Sequence, residues 1–121
     1  MVGGTVARSL GLKREQRLRR RSDFSTLYSS SRSWTNRLLV LRARPNGLDV
    51  SRFGFVASKR LGNAVARNRV RRRVREAVRV QDLKPGMDIV FIARVPAAEA
   101  DYWSIKEAAV DLLIRARLHR P

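Results

Sequence analysis

Between Ser58 and Arg79 the chain reads SKRLGNAVARNRVRRRVREAVR, with nine basic residues against one acid, Glu76. Ala66, Val70, Val74 and Ala77 recur at i, i+4, i+8 and i+11, which is one face of an α-helix. At about 100° per residue, Asn68, Arg72, Arg75 and Arg79 project from the opposite face. Arg69 and Arg73 line one flank; Arg67 and Arg71 line the other. Leu61-Gly62-Asn63 comes just before, with Gly62 suited to a tight backbone turn and Asn63 to an N-cap. Any fold containing this stretch must bury a narrow Ala/Val stripe and leave a coat of arginine outside. Like charges one helical turn apart repel. A solvated face normally mixes signs, so this one points to a polyanionic partner, a nucleic acid.

The rest of the composition agrees. The 121 residues hold 27 basic and 10 acidic side chains, a net charge of +17. Four of the basic residues are lysines (13, 59, 84 and 106) and 23 are arginines. Arginine pairs bidentately with phosphate and stacks on bases, although a GC-rich genome gives the same bias. The charge is also polarised. Residues 1–79 carry 21 basic and 4 acidic side chains, whereas residues 80–121 carry 6 of each. One part of the chain meets the polyanion and the other completes the fold.

Several classes are excluded. With no cysteine there is neither a disulfide nor a thiolate zinc site, which fits a cytoplasmic protein. No apolar run approaches the ~18 residues of a membrane span, and the N-terminus lacks a signal-peptide core. The Ala/Val stripe is too small to seat the basic helix in a lipid surface.

Taken in order, Met1–Gly11 has no periodicity and reads as disordered, and Lys13–Arg21 adds six basic residues as an arm that orders on RNA. Ser22 is the expected N-cap of a first helix, with Asp23 in its first turn. Phe24, Leu27 and Tyr28 share a face of that helix. Spacing alone makes Phe24 and Tyr28 core residues. Ser29-Ser30-Ser31 ends the helix. Asn36–Arg44 reads as a strand, with Leu39, Leu41 and Ala43 on one face and Leu38, Val40, Arg42 and Arg44 on the other. After the Pro45-Asn46-Gly47 turn, Arg52–Ser58 is expected to pair with it as an antiparallel hairpin. Asp88–Arg94 reads as a strand buried on both faces. Ser104–Glu107 has the form of a capping box, and Ile105, Ala109, Leu112, Leu113 and Ala116 form the core face of a last helix. Tyr102 and Trp103 are expected to pack at its start. The predicted fold is an α/β (α+β) two-layer sandwich, a mixed sheet of three to four strands packed with helices. Residues 1–13 form a basic arm, 14–118 one RNA-binding domain and 119–121 a tail.

No catalytic constellation can be assembled from the sequence. His119 stands alone near the C-terminus and is expected to be disordered. The acids are scattered, and Glu99 and Asp101 lack a third ligand. Neither a metal site nor an acid/base pair follows, and there is no Gly-rich phosphate loop. No small-molecule substrate or protein-bound cofactor is expected.

The stretch Phe53–Arg79, FGFVASKRLGNAVARNRVRRRVREAVR, resembles the signature of the bacterial ribonuclease P protein component. Its core is Ala64-Val65, Arg67-Asn68-Arg69, Arg71-Arg72 and Arg75-Glu76. Asp23-Phe24, the DIVFIAR strand and the last helix match in order, so the resemblance spans residues 14 to 118. It implies a protein subunit of the ribonucleoprotein endonuclease that removes the 5′ leader of precursor tRNA. The catalyst there is a large RNA that holds Mg²⁺, and the protein has no catalytic residues of its own. It implies that Lys59, Arg60, Arg67, Asn68, Arg69, Arg71, Arg72 and Arg75 bind the catalytic RNA. It implies a leader-binding cleft between the first helix and the sheet, with Phe24, Tyr28, Arg42 and Val56. It also implies a left-handed βαβ crossover, which the general handedness rule would not predict. Some family members carry an aromatic where Arg42 stands; a guanidinium there can stack or bind phosphate.

The alternative reading is a structural RNA-binding protein such as a small ribosomal protein. The Arg67-Asn68-Arg69 signature and the aromatic pair Phe24 and Tyr28 separate the two, because a ribosomal protein needs no cleft for a free single strand. A DNA-groove reader is disfavoured, since Asn63 and Asn68 are the only base-reading side chains among the basic ones.

Overall fold

The structure is a computed structural model that describes residues 17, 18 and 21–121. The expected N-terminal arm lies outside the described residues, as do the side chains of Ser22, Asp23 and Phe24. Seven regular elements follow: α1 (Arg21–Ser30), β1 (Arg32–Thr35), β2 (Leu39–Pro45), β3 (Arg52–Val56), α2 (Ala64–Arg79), β4 (Met87–Ala93) and α3 (Tyr102–Arg115). Helix α1 starts one residue before the expected cap.

The strands form one mixed sheet in the order β1-β2-β4-β3. β1 pairs antiparallel with β2, β2 antiparallel with β4, and β3 parallel with β4. The expected hairpin between β2 and β3 therefore does not form, because β4 lies between them. The reason is in β4 itself. Ile89 and Phe91 on one face and Val90 on the other are all buried. Such a strand needs a neighbour on each edge and a cover on each face, which only an interior position supplies. Parallel pairing of β3 with β4 in turn requires a long crossover, and α2 provides it.

The sequence reading also missed β1. Its Arg-Ser-Trp-Thr run is short and mostly exposed, and the serines around it favour turns. Asn36 separates β1 from β2: its Oδ1 accepts from the amides of Leu38 (3.2 Å) and Leu39 (3.0 Å), so β2 begins at Leu39 rather than Asn36.

One face of the sheet carries the main core. Leu39, Leu41, Phe53, Ile89 and Phe91 pack there against Val70 and Val74 of α2 and Ile105, Leu112 and Leu113 of α3. Helix α1 crosses the other face, where Leu18, Leu27 and Val90 form a second, smaller buried cluster. The amide of Leu18 donates to the Phe53 carbonyl (2.8 Å), which ties the segment before α1 to the outer edge of β3.

Three further details differ from expectation at the C-terminal end. Helix α3 starts at Tyr102, capped by Asp101, whose carboxylate accepts from the Ser104 amide at 2.8 Å. Ser104 is thus inside the helix, not its cap; an anion at the positive end of the helix dipole makes Asp101 the better cap. Trp103 is 70% exposed, so it does not pack as expected; Lys106 Nζ sits 5.6 Å from its ring centre. His119 is not a disordered tail residue. It bridges Leu83, and its Nε2 lies 2.8 Å from Gln81 Oε1.

Candidate RNA interface

The basic helix forms as its periodicity predicts. Asn63 Oδ1 accepts from the Ala66 amide (2.9 Å) and starts α2. Gly62 precedes it at φ +132, a conformation side chains resist, and a Cβ there would lie 3.2 Å from the Cβ of Ala66. Val70, Val74, Ala77 and Val78 are buried, which anchors the helix. Asn68, Arg72 and Arg75 are exposed, as are Lys59 and Arg60 in the turn before it; Arg67, Arg69 and Arg71 are half-buried along the flanks.

The arginines of α2 divide into two sets. Arg71 donates to the Ala57 carbonyl at 3.4 Å and to Asn68 Oδ1, Arg73 to the Ala100 carbonyl at 2.8 Å, and Arg79 to Glu76 Oε1 at 2.5 Å. These hold the helix to its surroundings. The side chains of Lys59, Arg60, Arg67, Arg69, Arg72 and Arg75 make no hydrogen bond or ion pair with the described residues. Six such cations on one helix and the turn before it form a strong positive field, and arginine supplies a fork that matches phosphate oxygens.

The second region is the sheet face under α1. Residues opposite one another make two rows across it. Ser33, Arg42, Val90 and Gly54 form one; Thr35, Val40, Ile92 and Val56 form the next. Val90 is fully buried in the cluster with Leu18 and Leu27 of α1, whereas Val40, Ile92 and Val56 stay half-buried. The helix therefore leaves an apolar shelf beside it, close to the Ala57–Arg60 loop that leads into α2. Tyr28, 41% exposed, stands over the neighbouring row on the same side of the sheet, with the Arg42 guanidinium 5.3 Å from its ring centre. The structure thus brings Tyr28, Arg42 and Val56 to one face. Phe24 belongs to α1, and its side chain lies outside the described residues. The core role that spacing alone assigns to Tyr28 does not fit its exposure.

The sequence places Arg42 and Arg44 on one strand face and the serines at the helix end, but not their pairing. Arg44 Nη1 donates to Ser30 Oγ (2.9 Å), and Arg42 Nη1 to Ser31 Oγ and the Tyr28 carbonyl (both 3.2 Å). The signal was the i, i+2 spacing of two arginines on one strand face, opposite a run of serines.

Among the described residues no three of His, Asp and Glu come together as a metal site. Asp101 is the one acid near α2 whose carboxyl is held clearly below the usual range. The Ser104 amide is the main cause, followed by the Ser104 hydroxyl, and the charge of Arg73 adds to it. It is a helix cap.

The chain matches the family described as Ribonuclease P over residues 12–117. It is 46% identical over 108 residues to the ribonuclease P protein component of Roseiflexus castenholzii, covering 87% of this chain and 88% of that one. Identity to the corresponding protein of Dehalococcoides mccartyi is 41% over 107 residues, covering 88% and 89%. The RNase P protein of Staphylococcus aureus superposes with a TM-score of 0.80 at 32% identity, covering 87% of this chain and 98% of that one. That of Thermotoga maritima gives 0.75 at 36%, covering 82% and 96%. These matches cover 82–88% of this chain and 88–98% of the relatives, and the chain belongs to the bacterial ribonuclease P protein family.

Proposed function

We propose that this protein subunit of ribonuclease P works through two surfaces, one for the RNA subunit and one for the substrate. The exposed side of α2 with Lys59 and Arg60 lies on ribonuclease P RNA. The shelf beside α1 takes the single-stranded 5′ leader of precursor tRNA. The observation that carries this reading is the set of six cations that pair with no acid among the described residues, on the chain that continues from a half-buried apolar row on the face where Tyr28 stands. Phosphates satisfy the first, and stacked bases of a single strand suit the second.

The cleavage chemistry belongs to the RNA, which also holds the Mg²⁺ it uses. Asp88, Asp101 and Asp111 cap or pair within the chain, which takes these three from a Mg²⁺ that would bind through one or two carboxylates. The protein contributes binding and orientation of the leader, and with it a broader substrate range. Its place of action is the cytoplasm; among the described residues no helix is long and apolar enough to cross a membrane.

Reconstitution tests the reading. Protein freed of nucleic acid is expected to leave precursor tRNA intact in Mg²⁺. Adding a bacterial ribonuclease P RNA is expected to produce cleavage at the mature 5′ end, with affinity that rises with leader length. Cleavage by RNA-free protein, or affinity indifferent to the leader, overturns it.

A further inference from the structure

Helix α1 has no basic residue in its own last turn, although the carbonyls at a helix C-terminus attract cations. Strand β2 supplies two instead. Arg42 and Arg44 point to the same face of β2, and both reach the end of α1. Arg42 donates to the Tyr28 carbonyl and Ser31 Oγ, each at 3.2 Å; Arg44 donates to Ser30 Oγ at 2.9 Å. The same Arg42 guanidinium lies 5.3 Å from the centre of the Tyr28 ring. The described buried side chain of the helix is Leu27, one turn back, which packs with Leu18 and Val90.

We propose that Arg42 and Arg44 with Ser30 and Ser31 form a clamp that sets the spacing between α1 and the sheet, and so positions Tyr28 for the leader. This rests on the leader-binding reading of the shelf. Arg42 and Arg44 are positioning residues here: they act through the helix end rather than by neutralising leader phosphates. The serines, which by propensity only end the helix, become the latch that accepts the two guanidinium groups. Releasing the clamp frees the last turn of α1, moves the ring away from the half-buried row of Val40, Ile92 and Val56, and leaves the α2 surface untouched.

The serines make the test clean, because removing their hydroxyls keeps both positive charges. The double variant Ser30→Ala/Ser31→Ala is assembled with a bacterial ribonuclease P RNA. Binding is measured for precursor tRNA with a leader of about eight nucleotides, for one with a single leader nucleotide and for mature tRNA. Two hydrogen bonds are removed, so affinity for the long leader is expected to fall about 2- to 10-fold. Mature tRNA is expected to bind as before. The salt slope is expected to stay constant, because the same phosphates are neutralised. Amide exchange at Tyr28–Ser31 in the free protein is expected to rise. Unchanged exchange and unchanged long-leader affinity overturn the clamp. So does an Arg44→Ala variant that flattens the salt slope while the serine variant has no effect, since that makes Arg44 a phosphate ligand. Tyr28→Ala is the control for the underlying reading. If it leaves leader dependence intact, the shelf is not the leader site. If it abolishes that dependence while the serine variant does nothing, only the clamp fails.

Discussion

Arg52 on β3 and Asp88 on β4 face each other side-on. Nε meets Oδ1 at 2.9 Å and Nη2 meets Oδ2 at 2.8 Å, with the Asp88 side chain only 6% exposed. Asn46 Nδ2 donates to the same Oδ1 at 2.9 Å, which draws the β2–β3 loop over the end of β4. These bonds join the β2–β3 loop, β3 and β4 in the arrangement that puts β4 between β2 and β3. Removing the carboxylate takes both bonds to Asp88 from a half-buried guanidinium and one from an amide that keeps the Val50 carbonyl. Asp88→Ala is expected to cost about 3 kcal/mol, at the lower end for a broken buried pair because Arg52 keeps some water access. Thermal melting checks this, and joint replacement by Arg52→Met and Asp88→Leu is expected to recover part of the loss.

The division of the α2 arginines makes a second prediction. Arg72→Ala/Arg75→Ala is expected to flatten the salt dependence of binding to ribonuclease P RNA by about one unit for each phosphate no longer neutralised. Stability is expected to change little, because both side chains are exposed. Arg73→Ala is expected to do the opposite. It removes the bond to the Ala100 carbonyl, costing about 1–2 kcal/mol of stability with a smaller change in slope. Equal slopes for the double variant and the parent protein would put the RNA elsewhere.

Asp101 gives the pH dependence. Its carboxyl is held below the usual range, first by the Ser104 amide. A folded-state value below the unfolded one means that its contribution is complete above the unfolded value and is lost as pH falls through the folded one. The melting temperature of the parent protein is therefore expected to exceed that of Asp101→Ala near pH ~7, with the gap closing below pH ~4. A gap that persists unchanged into strong acid would show that the carboxylate charge contributes nothing to the cap.

The elements that sequence alone revealed are those with a local cause. Helix α2 announces itself because its Ala/Val stripe has a helical period and Asn63 caps it. The burial of β4 is legible in its continuous apolar run. Strand pairing is not local: the neighbours of β4 are set by which faces the helices cover, so adjacency in sequence suggested a hairpin that the fold does not make. Strand β1 was hidden because an edge strand needs no apolar alternation. At the shelf, the resemblance pointed to Tyr28 and Arg42 as leader-cleft residues, whereas periodicity assigned Tyr28 to the core. A three-residue spacing cannot tell a ring packed inside from one at the margin of a helix that covers only half a sheet face. The partners of Arg44 were out of reach, since Ser30 lies fourteen residues away in sequence.

Tyr28 separates these two origins by experiment. As a core ring, its truncation would cost several kcal/mol of stability, in the range of about 3–5 kcal/mol seen for buried aromatics. As a stacking platform it contributes about 1–3 kcal/mol to single-strand binding instead. At 41% exposed, with Arg42 over its face, the ring has much less buried area to lose than a core residue. Tyr28→Ala is thus expected to lower the melting temperature only modestly. In the assembled ribonucleoprotein it is expected to weaken binding of precursor tRNA carrying several leader nucleotides, by about tenfold or more. Mature tRNA, which has no leader to stack, is expected to bind as before. Tyr28→Phe keeps the ring and is expected to retain most of the affinity. Equal weakening of precursor and mature tRNA, or unfolding of the alanine variant, would return Tyr28 to the core and move the leader off this face.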